Sequence, residues 1–350
     1  MVLLNSENIL KKIKQCSEEK YFVIMYDFFI DRIVTLKTND FMDIVEKTRY
    51  GGGSIRNIPT KEVVGGNAIN LAYCLAKMEQ RVVLFTLADE FGITLLKRLF
   101  KDFGDKVELR IVNGRPGFTT SLEFKNKNGK IESNVMISDV GDNRTFGPEN
   151  FTNQDIDVIK NSYAIIIVNW ASNIKGTELV EFAFKNSRNS FHFLDPADIK
   201  DRINEFCNDI IKLNNLIDIL SINENECNAI LSEIGNDRNL LGGKYFSKDV
   251  KDAAKIIAEK FNIDIIIHTK KGSAWSNGLK TIFKSSDKNI NVKTLTGAGD
   301  SWNAAYILGQ TICLTKHENL LFANKLASMY ISIKNRQEIT LPKLIEKYLN

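Results

Sequence analysis

Short apolar runs rich in β-branched and aromatic residues recur along the chain, at 21–25, 81–87, 163–168, 190–194, 217–221 and 263–268. Their length and composition predict buried strands. Between them lie segments with apolar residues at helical spacing, at 68–78, 93–100, 176–185, 224–233 and 250–260. Strand alternating with helix predicts an α/β fold whose mostly parallel sheet is covered by helices on both faces. Two stretches break the rhythm: 35–64 and 117–139 are polar and weakly alternating, and the second carries Asn128-Gly129, a hairpin signal. They predict antiparallel strands standing off the main sheet. A flap over a cleft and a solvent-facing hairpin both fit that pattern. The segment 236–247 reads as a polar loop. Over residues 1–20, Leu3, Leu4, Ile9, Leu10 and Ile13 mark a short amphipathic helical extension packed on the domain.

At 350 residues and 43% hydrophobic, the chain suits a single domain over 1–350 with a large core. Lys and Arg exceed Asp and Glu by 47 − 43 = +4 without a basic block, so no nucleic-acid partner is expected. Five dispersed cysteines, Cys16, Cys74, Cys207, Cys227 and Cys313, form no CxxC and suggest neither a disulfide framework nor a zinc site. That usage fits a reducing, cytoplasmic setting. Charges interrupt the N-terminal apolar pattern, and no run of about 18 apolar residues occurs, so neither a signal peptide nor a membrane span is expected.

The candidate chemistry lies in VKTLTGAGDSWNAAYILG, residues 292–309. The P-loop pattern is absent, and Trp302 stands where a dinucleotide fingerprint needs its third glycine. A GxG alone fits a plain helix-capping turn as well as an anion site. Here, however, Gly297, Ala298 and Gly299 would bring backbone N–H groups to a helix N-terminus, with the Asp300 carboxylate beside them. A general base next to an anion hole is what phosphoryl transfer to a hydroxyl requires.

TGAGDSWNAA resembles the C-terminal signature of the PfkB-type, ribokinase-like carbohydrate and nucleoside kinases. YDFFID (26–31), GGNAINLAYCLAKM (65–78) and DILSINENECNAI (218–230) resemble further family stretches, in the family's order. The resemblance runs from Tyr21 to the last helices and implies a ribokinase-like three-layer α/β/α sandwich with a mostly parallel central sheet and a small β-strand lid. It implies Asp300 as catalytic base and the amides of Gly297, Ala298 and Gly299 as anion hole. Asp31, Gly66, Asn67 and Asn70 match acceptor-binding positions; read without the resemblance, Asp31 is a strand-end surface acid and Asn70 a helix-face amide. Asn223 and Glu226 match the region that organises Mg²⁺ and phosphates through water, ahead of Glu224. Asn223, Thr269, Lys270, Gly272, Thr296, Asn324, Ala327 and Ser328 match the nucleotide-binding segments.

Four features depart from or add to that pattern. Thr294 replaces an aspartate that helps hold a monovalent cation, which weakens the expectation of one. HTKKG (268–272) lacks the first glycine of the usual turn, leaving Lys270 or Lys271 to reach a phosphate or simply to be solvated. Phe118 on the flap and Arg144 in DNRTF are candidates for an apolar and an anionic part of a substrate.

The resulting expectation is an ATP- and Mg²⁺-dependent phosphotransferase acting on a hydroxyl of a sugar or sugar-like small molecule. A nucleoside kinase, and a non-catalytic ligand-binding protein retaining the fold, are the alternatives. Exposed edges of the lid strands would allow a homodimer.

Overall fold

The computed structural model describes residues 6–125, 131–236, 246–287 and 297–333, with positions 340, 341, 343 and 345 of the C-terminal segment. Its strands are β1 (Tyr21–Tyr26), β2 (Phe29–Lys37), β3 (Thr60–Gly65), β4 (Arg81–Ala88), β5 (Val107–Asn113), β6 (Gly117–Lys125), β7 (Ile131–Asp139), β8 (Ala164–Val168), β9 (Phe191–Asp195), β10 (Ile219–Asn223), β11 (Asp264–Thr269), β12 (Gly272–Ser276) and β13 (Thr281–Ser285). The helices are α1 (Ser6–Glu19), α2 (Thr38–Arg49), α3 (Asn67–Lys77), α4 (Glu90–Phe100), α5 (Asn153–Lys160), α6 (Gly176–Lys185), α7 (Ile203–Leu213), α8 (Glu224–Glu233), α9 (Phe246–Phe261), α10 (Ala298–Thr311) and α11 (Lys316–Ser332).

Nine strands form the main sheet in the order β13-β12-β11-β10-β9-β8-β1-β4-β5. From β11 to β5 every pairing is parallel; β12 and β13 add an antiparallel edge. The period-two pleat splits the strand residues between two cores. Phe22 and Ile24 of β1 join the core beneath α3, α10 and α11, whereas Val23 and Met25 join the core with α6, α7 and α9. Because both faces are buried, the strands are apolar throughout rather than alternating; β8 (AIIIV) is buried at all five positions. The result is the expected three-layer α/β/α sandwich.

A second sheet, ordered β3-β2-β6-β7, stands apart as the lid. It departs from the sequence reading in two ways. Within 35–64, residues Thr38–Arg49 are helix rather than strand, because Asp40 accepts the Lys37 backbone N–H at 2.8 Å and caps the first turn. Phe41 on that helix meets Phe124 of β6 edge-on at 5.4 Å. The lid is also not wholly antiparallel: β2 and β6 run parallel from Phe29↔Gly117 to Lys37↔Lys125. Asn128-Gly129 and most of the 236–247 loop lie outside the described residues, as do Leu3 and Leu4. In α1, Ile9 and Ile13 are fully buried.

In the main sheet the chain moves one way from β1 through β4 to β5, and the other way from β8 through β11. The topological switch point therefore falls between β1 and β8, where open α/β sheets form a crevice at the carboxyl ends of their strands.

Candidate active site

The crevice is a cleft of about 420 Å³. Asp27, just past β1, forms its floor. This fully buried carboxylate accepts the backbone N–H groups of Asn67 (2.9 Å) and Ala68 (2.8 Å), capping α3, and the Asn169 amide from beyond β8 (2.9 Å). Burial raises its pKa against the pull of these donors. The Asn169 bond spans the switch point itself and ties the two halves of the sheet together.

Asp300 enters from the opposite wall. Gly297 caps α10 in the left-handed region (φ 79°), and a Cβ there would come within 2.6 Å of the Tyr330 hydroxyl. Any other residue would be strained by the backbone and obstructed by the neighbour. Asp300, in the first turn of α10, is 8% exposed. The Asn70 side chain on α3 donates to its Oδ2 at 2.9 Å.

A third wall is acidic. Asn223 at the end of β10 caps α8, accepting the N–H groups of Asn225 (2.8 Å) and Glu226 (3.1 Å). Glu226 reciprocates, accepting the Asn223 backbone N–H at 2.8 Å and its amide at 2.5 Å. Burial, with the Asp195 charge adding to it, holds the Glu226 carboxyl well above the usual range. Asp195, at the end of β9, accepts from Ala197 N–H (3.0 Å) and Asn303 (2.5 Å), and burial pushes it up to about 6. Like charges in a dry site disfavour full ionisation, so this wall would gain from a cation. Among the described residues no three His, Cys, Asp or Glu side chains gather to ligate a metal directly. Oxygen donors on Asn223, Glu226, Asp195 and Asp198 suit Mg²⁺ held through its water shell.

The lid closes the fourth side with Phe29, Asp31, Thr119, Met136, Ser138 and Val140. Asp31 lies so close to the end of β3 that a Cβ on Gly65 would overlap its carboxylate. Thr119 and Ser138 share a hydrogen bond of 3.0 Å across β6 and β7.

The profile of the pfkB family carbohydrate kinases matches residues 33–344. This chain belongs to that family. No curated protein matches it in sequence. Among solved structures, adenosine kinase from Sinorhizobium meliloti superposes with a TM-score of 0.70 at 16% identity, covering 94% of this chain and 99% of its own. Ribokinase from Cryptococcus neoformans, in complex with ADP, gives 0.71 at 17% identity over 94% and 99%. Arabidopsis thaliana ribokinase, complexed with ribose and ATP, gives 0.69 at 20% identity over 95% and 99%. At these identities the likeness establishes the ribokinase-like fold.

In this pfkB-family chain the cleft brings together Asp31, Gly66, Asn67, Asn70, Asn223, Glu226, Gly297, Ala298, Gly299 and Asp300. Among the described residues, the other expected nucleotide positions, Thr269, Lys270, Gly272, Asn324, Ala327 and Ser328, do not line it. Thr269 closes its own turn, donating to the Gly272 carbonyl at 2.6 Å and accepting from the N–H groups of Lys271 and Gly272. Lys270 is exposed. Asn324 is buried, accepting from Ser273 and Trp302 at 2.8 Å each and donating to the Lys284 carbonyl at 3.1 Å, so it ties α11 to the β12–β13 hairpin. Ala327 packs against the core and Ser328 is buried. Thr294 and Thr296 lie outside the described residues. Phe118 is 42% exposed and Arg144 is exposed; neither lines the cleft. Conversely, Asp27, Asn169, Asp195 and His268 line it without having been singled out. Their shared signal is a polar residue at the carboxyl end of an apolar strand run, as in AIIIVN, FHFLD and IIIHT.

Proposed function

We propose that the protein transfers the γ-phosphoryl group of ATP to a hydroxyl of a sugar or sugar-like small molecule. The observation that carries this reading is the placement of Asp300. A buried carboxylate, oriented by Asn70, sits one residue beyond an N-terminal turn whose residues line the same cleft. Asp31, Asn67 and Asn70 would hold the acceptor hydroxyls, since carboxylate and carboxamide groups both suit a polyol. Asp300 would take the hydroxyl proton as the acceptor oxygen bonds to the γ-phosphorus. The bond from that phosphorus to the β–γ bridging oxygen breaks, and ADP departs. Backbone N–H groups of Gly297 to Gly299 would hold the charge on the transferred group. Asn223 and Glu226 would hold Mg²⁺ through its water shell, and the bound ion would supply neutralisation of phosphate charge. Closure of the lid would exclude water and so suppress ATP hydrolysis.

A nucleoside acceptor is the second reading. Phe29, Met136 and Val140 form an apolar lid-side wall that a nucleobase would cover. The lid's edge strand β7 also exposes Val135 (51%), Met136 (53%) and Ile137 (60%), the surface through which a second copy would pair; sedimentation velocity tests that pairing.

The test is ATP consumption with Mg²⁺ across pentoses, hexoses, sugar acids, inositols and nucleosides, with Asp300→Ala as control and with or without potassium. Acceptor-dependent turnover that disappears in the variant supports the reading and names the acceptor class. ATP binding without turnover on any acceptor favours a ligand-binding protein instead.

A further inference from the structure

His268 is unexplained by the site described so far. It is the penultimate residue of β11, in register with Asn223 of β10, and lines the cleft. Its ring stacks on Trp302 of α10 with centroids 5.2 Å apart, and Trp302 is itself anchored to Asn324. The ring is thus held in place by its surroundings. A Cβ on Gly299 would lie 3.4 Å from His268 Cε1, which sets the imidazole edge against the small-residue turn.

The two ring nitrogens differ. Nε2 is sealed from solvent and has no hydrogen-bond partner among the described residues. A buried donor without an acceptor costs more than an acceptor without a donor, so the proton belongs on Nδ1. His268 lines the cleft and Nε2 is sealed from solvent, which leaves Nδ1 as the ring nitrogen available to a bound group. Burial also holds the imidazole pKa down to about 4, so the ring is neutral at neutral pH and carries a single N–H.

We infer that His268 is a catalytic donor, its Nδ1–H bonding to a phosphoryl oxygen held at the N-terminus of α10 and supplementing the backbone N–H groups there. The inference rests on the phosphoryl-transfer reading above for its catalytic part and on the cleft geometry for its binding part. A neutral N–H can hold an oxyanion without first being charged, and a ring clamped by stacking needs no reorganisation as charge develops.

The test uses the intact protein and three substitutions. His268→Asn places an amide donor near the position of Nδ1, His268→Gln places one near Nε2, and His268→Leu removes both. Loss of one such donor is expected to lower kcat about 100-fold in His268→Leu with acceptor KM little changed. His268→Asn should recover most of that loss and His268→Gln much less. Wild-type kcat in His268→Leu, or equal recovery by both amides, overturns the inference. An independent readout follows from there being 3 histidines in the chain. In ¹⁵N spectra at pH 7, His268 should appear as the Nδ1–H tautomer, and its signals should move on adding the non-hydrolysable analogue AMP-PNP with Mg²⁺. His192 and His317 should not move. An unmoved His268 at saturating AMP-PNP overturns the inference even if the leucine variant fails to fold. Shifted His268 signals in a protein that turns over no acceptor would retire the kinase reading and keep the donor; turnover with unmoved signals would do the reverse.

Discussion

Asn70 Nδ2 donates to Asp300 Oδ2 at 2.9 Å, joining helices α3 and α10 across 230 residues of chain. Both side chains are buried, at 6% and 8% exposure, so the bond fixes the carboxylate's orientation where water competes little. Replacing Asn70 with Ala should lower kcat by about 10- to 100-fold, the worth of one hydrogen bond to a charged group. Steady-state kinetics on the acceptor found active would check this. Wild-type kcat in Asn70→Ala would mean that other contacts orient Asp300.

Asp27 should matter for stability before it matters for chemistry. It caps α3 through two backbone N–H groups and bonds Asn169 across the switch point. Asp27→Ala removes the cap and leaves buried donors unpaired, at an expected cost of at least about 2 kcal/mol. Urea unfolding should show a lower midpoint with an unchanged slope. An unchanged midpoint would show that water or a rearranged Asn169 replaces the carboxylate.

The acid limb of the stability profile should depend on His268. Its folded pKa of about 4 lies below the ordinary value of 6.5. As pH falls from 6.5 toward 4, the unfolded chain takes up a proton that the folded chain refuses, and stability is lost. His268→Asn lacks this loss, so at pH 5 the variant should gain up to about 2 kcal/mol on the wild type relative to the difference between them at pH 7. Asp195, raised to about 6, acts in the opposite direction but is common to both proteins. Parallel pH profiles would mean that the imidazole is solvated and titrates normally.

Thiol reagents should discriminate sharply among the cysteines. Cys313 is exposed, whereas Cys16, Cys74, Cys207 and Cys227 are buried, and burial pushes Cys207 up to about 12 and Cys227 higher still. Native-state alkylation followed by peptide mapping should label Cys313 first, with the other four labelled after unfolding. Early labelling at Cys227 would reveal local opening of the acidic wall at α8.

Much of the candidate site is legible because the residues that line the cleft lie in short stretches. The turn from Gly297 to Gly299, the acid that follows and the N-x-x-E cap are each contained within a few residues. Helix α2 was misread because its segment combines a polar composition with a helical spacing at Phe41, Ile44 and Val45, and the Asp40 cap decides between the alternatives. Asp27 was overlooked beside Asp31 in the same hexapeptide. Nothing local distinguishes the acid that caps a distant helix from the one carried on a lid strand.

By itself the sequence determined the alternation of strand and helix, the two-faced core and the start of α10. Hydrophobic periodicity and turn stereochemistry act between neighbours, so they can be read from neighbours. The tertiary structure alone decided that β1 lies between β8 and β4, and hence that Asp27 meets Asn169, Asn70 meets Asp300 and His268 borders Gly299. Strand order depends on how crossovers pack over the sheet. It joins residues whose separation along the chain carries no pattern, and the cleft exists only where those strand ends converge.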